Sequence, residues 1–302
     1  MHKVAFFTEA GSKKGYGHLV RSYTIFEKFQ SLDAQFFIDS DINFDDKFEN
    51  LHYFSWDTLS IKQKYDVILI DSYEADLKIY NMLQQHTKLL ICIDDFNRLD
   101  YPSGMIINFA PNAENLHYST KKKNYTYLLG LEYMPIRKDF LKQQVKKQEQ
   151  IFIMLGGADI TNLTLKLVQN LQNVNMKKVV VHNNPKIAQE LTTIANVTVL
   201  FQPDDISLIK SMKESSIAIT TASMSAYEFA FLKIPTIIIA IAENQKNGVT
   251  QFLNHNIAAY SLEDVREIIF LIQNIQNNEY SLSNTIDGLG TQRIYNKVME
   301  LL

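Results

Sequence analysis

Lys3-Val4-Ala5-Phe6-Phe7-Thr8-Glu9-Ala10-Gly11-Ser12-Lys13-Lys14-Gly15-Tyr16-Gly17-His18-Leu19-Val20-Arg21 is the stretch on which the fold turns. Its opening is almost continuously apolar, as a strand buried on both faces of a parallel sheet must be. After a loop that carries glycines, Leu19, Tyr23, Phe26 and Phe29 recur at helical spacing, which predicts a helix over 19–32. Strand, loop, helix and next strand make the unit from which α/β folds are built.

The unit recurs along the chain. Apolar runs at 34–39, 65–70, 89–93 and 104–108 continue the first half. A charged, glutamine-rich stretch at 137–150 then interrupts the pattern and reads as a linker or a solvated helix face. A second series follows at 151–155, 178–182, 197–201, 216–220 and 236–240. The expectation is an α/β chain of two Rossmann-like, doubly wound domains, 1–145 and 146–302. Residues 291–302 read as a closing amphipathic helix, and 256–302 carry no usable motif.

Composition narrows the function classes. With 302 residues and a formal net charge of -3, the chain has no overall basic field to hold nucleic acid or an anionic membrane. Any anionic ligand must be held locally. The one cysteine, Cys92, lies inside an apolar run and reads as a small buried hydrophobe. The apolar start is too short for a leader, and the longest apolar stretch, 234–242, contains Pro235 and falls short of a membrane span. A cytoplasmic protein without membrane insertion is the expectation.

In an open α/β sheet ligands gather at the carboxyl ends of the strands. Gly15 and Gly17 let the backbone approach a ligand there, and His18 is a side chain able to take a proton near neutral pH. The spacing is not the dinucleotide fingerprint, since Val20 stands where the third glycine belongs. Arg21, one turn on, is able to fix an anion or to serve as a surface ion-pair partner. Two further strand ends deliver Asp71-Ser72-Tyr73 and Asp94-Asp95 to the same edge. Adjacent carboxylates on an extended chain point apart and chelate poorly, so no metal is expected, and Asp94 reads as a pocket wall or an orienting partner.

The second half carries groups suited to phosphate. Gly156-Gly157 ends a strand and is followed by Asp159 and Asn162, which serve as ligand contacts or helix caps. Ser223 and Ser225 place hydroxyls at a helix start, and Glu228, one turn inside, suits the two hydroxyls of a ribose. Asn244-Gln245 closes the last strand of the series as substrate contacts or turn formers.

Taken with these later motifs, Gly15-x-Gly17-His18-x-x-Arg21 resembles the UDP-sugar hydrolases of pseudaminic acid biosynthesis, which act on UDP-2,4-diacetamido-2,4,6-trideoxy-beta-L-altropyranose. More distantly it resembles the MurG-type GT-B glycosyltransferases. The resemblance covers 3–255 and implies a GT-B-like fold with two halves facing across a cleft. It implies His18 as the general base that activates water, with Gly17, Arg21, Tyr73, Asp94, Asn244 and Gln245 meeting the sugar end of the substrate. It assigns Gly156, Gly157, Asp159, Ser223, Ser225 and Glu228 to UDP. Ser72 departs from the pattern, where the family has histidine, and bears on the choice of sugar. The implied reaction is hydrolysis at the anomeric carbon with inversion, on a UDP-amino sugar and water, with no cofactor, no metal and no nucleic acid. The alternatives are transfer of the sugar to an acceptor hydroxyl and nucleotide-sugar binding without turnover. Lys121-Lys122-Lys123 is the only basic cluster and lacks the apolar flank of a membrane-acceptor site.

Overall fold

A computed structural model describes residues 1–118, 125–142, 145–156, 163–240, 259–261, 265–274 and 285–302. The chain divides into two compact units, Met1–Ile136 with Gly288–Leu302, and Arg137–Asp287.

The first unit is built on a seven-stranded parallel sheet. Its strands are β1 (Lys3–Ala10), β2 (Asp33–Ser40), β3 (Leu51–Phe54), β4 (Tyr65–Asp71), β5 (Thr87–Ile93), β6 (Gly104–Asn108) and β7 (Tyr125–Leu129), in spatial order β3-β2-β1-β4-β5-β6-β7. The apolar runs read from sequence form β1, β2, β4, β5 and β6, with Val4, Ala5, Phe36, Ile68, Ile70, Leu90 and Ile91 fully buried. The two outer strands, β3 and β7, escaped that reading. An edge strand is covered on fewer sides, so its sequence lacks the continuous apolar run of an inner strand. Helix α1 (Gly17–Phe26) is shorter than the stripe that predicted it; Phe29 is nevertheless buried, reached by a turn in which its N–H donates to Phe26 O at 2.8 Å. Helix α2 (Leu77–Gln84) starts at Asp76, whose side chain accepts from the N–H groups of Lys78 and Ile79.

The second unit repeats the plan on six parallel strands, β8 (Gln150–Met154), β9 (Lys177–His182), β10 (Val197–Phe201), β11 (Ile217–Thr221), β12 (Thr236–Ala240) and β13 (Ala259–Ser261), in order β10-β9-β8-β11-β12-β13. Helices α3 (Leu163–Asn170), α4 (Pro185–Leu191), α5 (Asp205–Glu214), α6 (Met224–Phe231) and α7 (Val265–Asn274) belong to it. Ile151, Ile153, Val180, Ile217, Ile219, Ile237 and Ile239 make the fully buried centre.

The boundaries correct the sequence reading twice. The closing helix exists, as α8 (Gly290–Leu301), but it packs with the first unit and not with the second, where 146–302 placed it. Gly290 explains the docking: a Cβ there would stand 2.3 Å from Met134 O and 2.6 Å from the Tyr133 carbonyl carbon, so only glycine permits this approach. Tyr295 meets Phe29 at 5.1 Å between ring centroids, and Arg293 Nη1 donates to Glu132 O at 2.9 Å. The divide falls after Ile136, ahead of the expected 145, because the start of the charged stretch is tied to the second unit. Phe140 is buried, and Lys213 Nζ donates to Asp139 O at 2.9 Å and Lys142 O at 3.0 Å. Phe140 and the backbone of 139–142 are therefore tied down, although Lys138, Leu141 and Lys142 are exposed, where a linker or a solvated helix face was expected.

Each sheet reverses its strand order once between central strands, at β1/β4 in the first unit and at β8/β11 in the second. Such switch points open the crevice in which doubly wound sheets bind ligands. Among the described residues no helix is long and apolar enough to cross a membrane.

Candidate active site

At the first switch point, β1 leads through the loop 11–16 into α1, and β4 ends on Asp71. The loop is held by its own contacts. Gly11 and Gly15 exchange backbone hydrogen bonds of 3.1 and 2.9 Å, Gly15 adopts φ +72°, and Lys14 Nζ lies 2.7 Å from both Asp39 and Glu74. A β-carbon at Gly17, the first residue of α1, would meet nothing within 4 Å, so the protein's own packing does not demand glycine there.

His18 follows, and the fold brings it to Asp71. His18 Nδ1 lies 2.7 Å from Asp71 Oδ1, and Asp71 is fully buried. Arg21 Nε and Nη2 donate to the same carboxylate at 2.6 Å each, and Ser22 Oγ adds a bond of 2.9 Å. Burial opposes charge on Asp71, but the Arg21 guanidinium and His18 outweigh it and hold the carboxyl well below the usual carboxylate range. An ionised carboxylate can only accept, so His18 Nδ1 carries the hydrogen, and in the neutral imidazole the lone pair is on Nε2. Arg21 Nη2 also lies 3.1 Å from Nδ1, but two donors cannot bond; its hydrogens go to Asp71 and to Asp95 Oδ2 at 3.0 Å.

This geometry corrects the reading of Arg21. It is buried, its guanidinium lies between Asp71 and Asp95 and 5.3 Å from the Phe109 ring centroid, and each of its nitrogens already donates to a carboxylate. Arg21 organises the cluster and is not a free anion contact.

Asp94 requires a second correction. It is 3% exposed and accepts from Asn97 N at 2.6 Å, Arg98 N at 3.1 Å, Tyr101 Oη at 2.8 Å and Tyr118 Oη. These donors occupy its lone pairs and close the loop after β5, so the expected substrate contact gives way to a structural one. Its neighbour Asp95 points the other way and pairs with Arg21 and with Tyr73 Oη.

Tyr73 stands edge-on to His18, with ring centroids 4.5 Å apart and planes at 85°, and is 46% exposed. Its backbone N–H donates to Glu9 Oε1 at 2.8 Å, and Glu9 also accepts from Trp56 Nε1 at 2.9 Å and from Ser72 Oγ. Ser72, where histidine was expected from the resemblance, is 2% exposed and turned inward; it accepts from Glu74 N and Ala75 N. Asp71 and Asp95 were placed at this edge from the sequence but given no role, and Glu9 was not singled out. Carboxylates at the ends of apolar strands were the available signal, since a buried charge at a strand end needs partners.

At the second switch point, Gly156 adopts φ +97°, a conformation strained for any side chain, just after β8. Thr220 Oγ1 joins this strand end to the next loop, donating to Met154 O at 2.9 Å and lying 2.7 Å from Ser225 Oγ. Ser223 precedes α6 without capping it; its hydroxyl lies 2.9 Å from Ser225 Oγ. Glu228, on α6, is 3% exposed and accepts from Arg137 Nε at 2.8 Å. Burial pushes its carboxyl up, and Arg137 offsets this only in part. Gly157, Asp159, Asn162, Asn244 and Gln245 lie outside the described residues. Among the described residues no group of three or more His, Cys, Asp or Glu is arranged to hold a metal ion.

No protein-family model matches the chain. It is 30% identical over 190 residues to a Helicobacter pylori protein described as pseudaminic acid cytidylyltransferase and UDP-2,4-diacetamido-2,4,6-trideoxy-beta-L-altropyranose hydrolase; the match covers 60% of this chain and 35% of that one. A Campylobacter jejuni protein bearing the hydrolase name alone is 23% identical over 269 residues, covering 82% of this chain and 95% of the relative. Among solved structures, Acinetobacter baumannii MurG matches with a TM-score of 0.66 at 12% identity, over 99% of both chains. The complex of S. aureus MnaA with UDP matches with a TM-score of 0.69 at 12% identity, over 100% of this chain and 98% of that one. The resemblance read from the motifs thus reappears in the named relatives, and the fold is the GT-B fold expected from the sequence.

Proposed function

We propose that the chain hydrolyses a UDP-linked 2,4-diacetamido-2,4,6-trideoxyhexose at its anomeric carbon, releasing UDP and the free sugar with inversion, as a step in nonulosonic acid biosynthesis. The observation that carries this reading is the 2.7 Å contact between His18 Nδ1 and the ionised, fully buried Asp71. That contact fixes the tautomer and leaves Nε2 as the base. His18 Nε2 takes a proton from water, the water oxygen attacks C1 from the face opposite the diphosphate, and the C1–O bond to UDP breaks. The imidazolium formed is stabilised by Asp71, which stays ionised.

In the second unit, Gly156, Ser223 and Ser225 are proposed to meet the diphosphate and Glu228 the ribose, joined by Gly157 and Asp159, with Asn244 and Gln245 meeting the sugar end of the substrate. Tyr73, beside His18, is proposed to border the sugar, with Gly17 leaving room for it. A general base contributes about 10²–10⁴-fold, and donors aimed at the departing diphosphate add to that. UDP is a good leaving group, so the reading asks for no strong acid and no metal. The names of the Helicobacter pylori and Campylobacter jejuni relatives support the substrate class.

The test is incubation with a panel of UDP-amino sugars in H₂¹⁸O without acceptor. Free sugar labelled at C1, with unlabelled UDP, is the expected product. Product that forms only when an acceptor hydroxyl is supplied would replace hydrolysis with transfer.

A further inference from the structure

Arg137 belongs to no motif that the sequence offered, yet it holds one oxygen of a buried carboxylate. Its Nε donates to Glu228 Oε1 at 2.8 Å and its Nη1 to Asp205 Oδ1 at 3.1 Å. The guanidinium also lies 5.1 Å from the Phe140 ring centroid, and the side chain is 16% exposed. A planar group held by two carboxylates and a ring keeps its Nε–H in one direction. Glu228 Oε2, by contrast, accepts no hydrogen bond from a described residue. A buried carboxylate needs donors at both oxygens. A vicinal diol offers two O–H donors at a spacing that one carboxylate can accept.

We propose that Arg137 is a positioning residue for nucleoside recognition: it pins Oε1 of Glu228 so that the remaining lone pairs of the carboxylate meet the cis-diol of a ribose. The inference rests on the ribose role proposed for Glu228 and adds the residue that sets its geometry. Arg137 need not touch the nucleotide. Lysine is a poor substitute, because a point-like ammonium cannot divide two fixed donors between Glu228 and Asp205.

Calorimetric titration of the full chain with UDP and with 2′,3′-dideoxy-UDP tests this, using the wild-type protein, Arg137→Ala, Arg137→Lys and Glu228→Gln. The wild-type chain is expected to prefer UDP by about 10-fold or more, the effect of hydrogen bonds to a charged acceptor. Arg137→Ala is expected to bring that preference close to unity by weakening UDP alone, with dideoxy-UDP bound as before. Arg137→Lys is expected to fall between the two, and it carries the test should the alanine variant fail to fold. A preference unchanged in both variants overturns the proposal, as does equal weakening of both nucleotides. If the wild-type chain does not discriminate, the ribose role of Glu228 fails and the proposal with it. If Glu228→Gln loses the preference while both Arg137 variants keep it, only the proposal about Arg137 fails.

Discussion

In the first unit the buried carboxylate of Asp71 takes hydrogen bonds from Arg21 Nε and Nη2, Ser22 Oγ and His18 Nδ1. In the second, the buried carboxylate of Glu228 takes one from the described residues, from Arg137 Nε, and Arg137 is shared with Asp205. The same pairing of acid and arginine at a switch point has opposite electrostatic results. Burial penalises both anions, but Arg21 and His18 carry Asp71 well below the carboxylate range, whereas Glu228 stays raised from its ordinary value. A saturated carboxylate spends its lone pairs inside the protein and orients a neighbour, here His18. A carboxylate with one oxygen unbonded by any described residue is suited to accept donors from elsewhere. Under the proposed function, the difference separates an orienting acid from a recognising one.

The comparison breaks most sharply on stability. Asp71→Ala leaves Arg21 buried with Asp95 alone and is expected to cost about 3–5 kcal/mol in urea unfolding. Glu228→Ala leaves Arg137 with Asp205 as a partner and is expected to cost about 1 kcal/mol. Equal losses would show that hydrogen-bond saturation does not distinguish the two pairs. Next in size is catalysis. His18→Ala is expected to lower turnover by about 10²-fold or more while leaving UDP affinity unchanged, read by steady-state rates and titration of the same preparation. An intact rate would remove His18, and with it the orienting role of Asp71.

A smaller effect concerns pH. A depressed folded-state pKa means that Asp71 stabilises the fold above its unfolded value of about 3.9 and that this is lost as pH falls. Glu228 has the opposite sign: its raised folded-state pKa favours the fold below about 4.3, and the contribution is lost as pH rises through the folded value. Melting temperatures from pH 3 to 7 should therefore show a flatter acid limb for Asp71→Asn, and for Glu228→Gln a gain over wild type as pH rises. Curves parallel to wild type in both variants would contradict the assigned shifts. The smallest expected effect is that of chelation: EDTA is expected to leave turnover unchanged, since the proposed steps use only protein groups and water.

Much of the fold was legible because inner parallel strands are apolar on both faces, as the runs that became β1, β4, β8 and β11 show. The outer strands β3 and β7 were not, since Leu51-His52-Tyr53-Phe54 and Tyr125-Thr126-Tyr127 are covered on fewer sides and look like loop. His18 and Tyr73, whose rings the fold brings together, were legible because a histidine beside glycines and a tyrosine after a strand end stand out locally. Asp71 and Asp95 were placed at the edge without a role while Asp94 was given one, because a polar residue at a strand end reads alike whether it turns inward or along the edge. Arg137 was hidden in a charged stretch that looked solvated.

The sequence by itself determined what depends on near neighbours. Hydrophobic period fixed the α/β class and the two parallel sheets, and the loops after β1 and β8 could be placed at ligand-binding strand ends, because these follow from backbone geometry over a few residues. Which carboxylate meets which cation was decided only in three dimensions. Asp71 reaches His18 across 53 positions of chain, and Glu228 reaches Arg137 across 91. Only strand order and register bring such residues within hydrogen-bond distance, and local sequence does not specify pairings of that range. For the same reason α8 was legible as a helix from its own stripe, while its place beside Tyr133 and Met134 depended on a glycine whose need is visible only against the chain it touches.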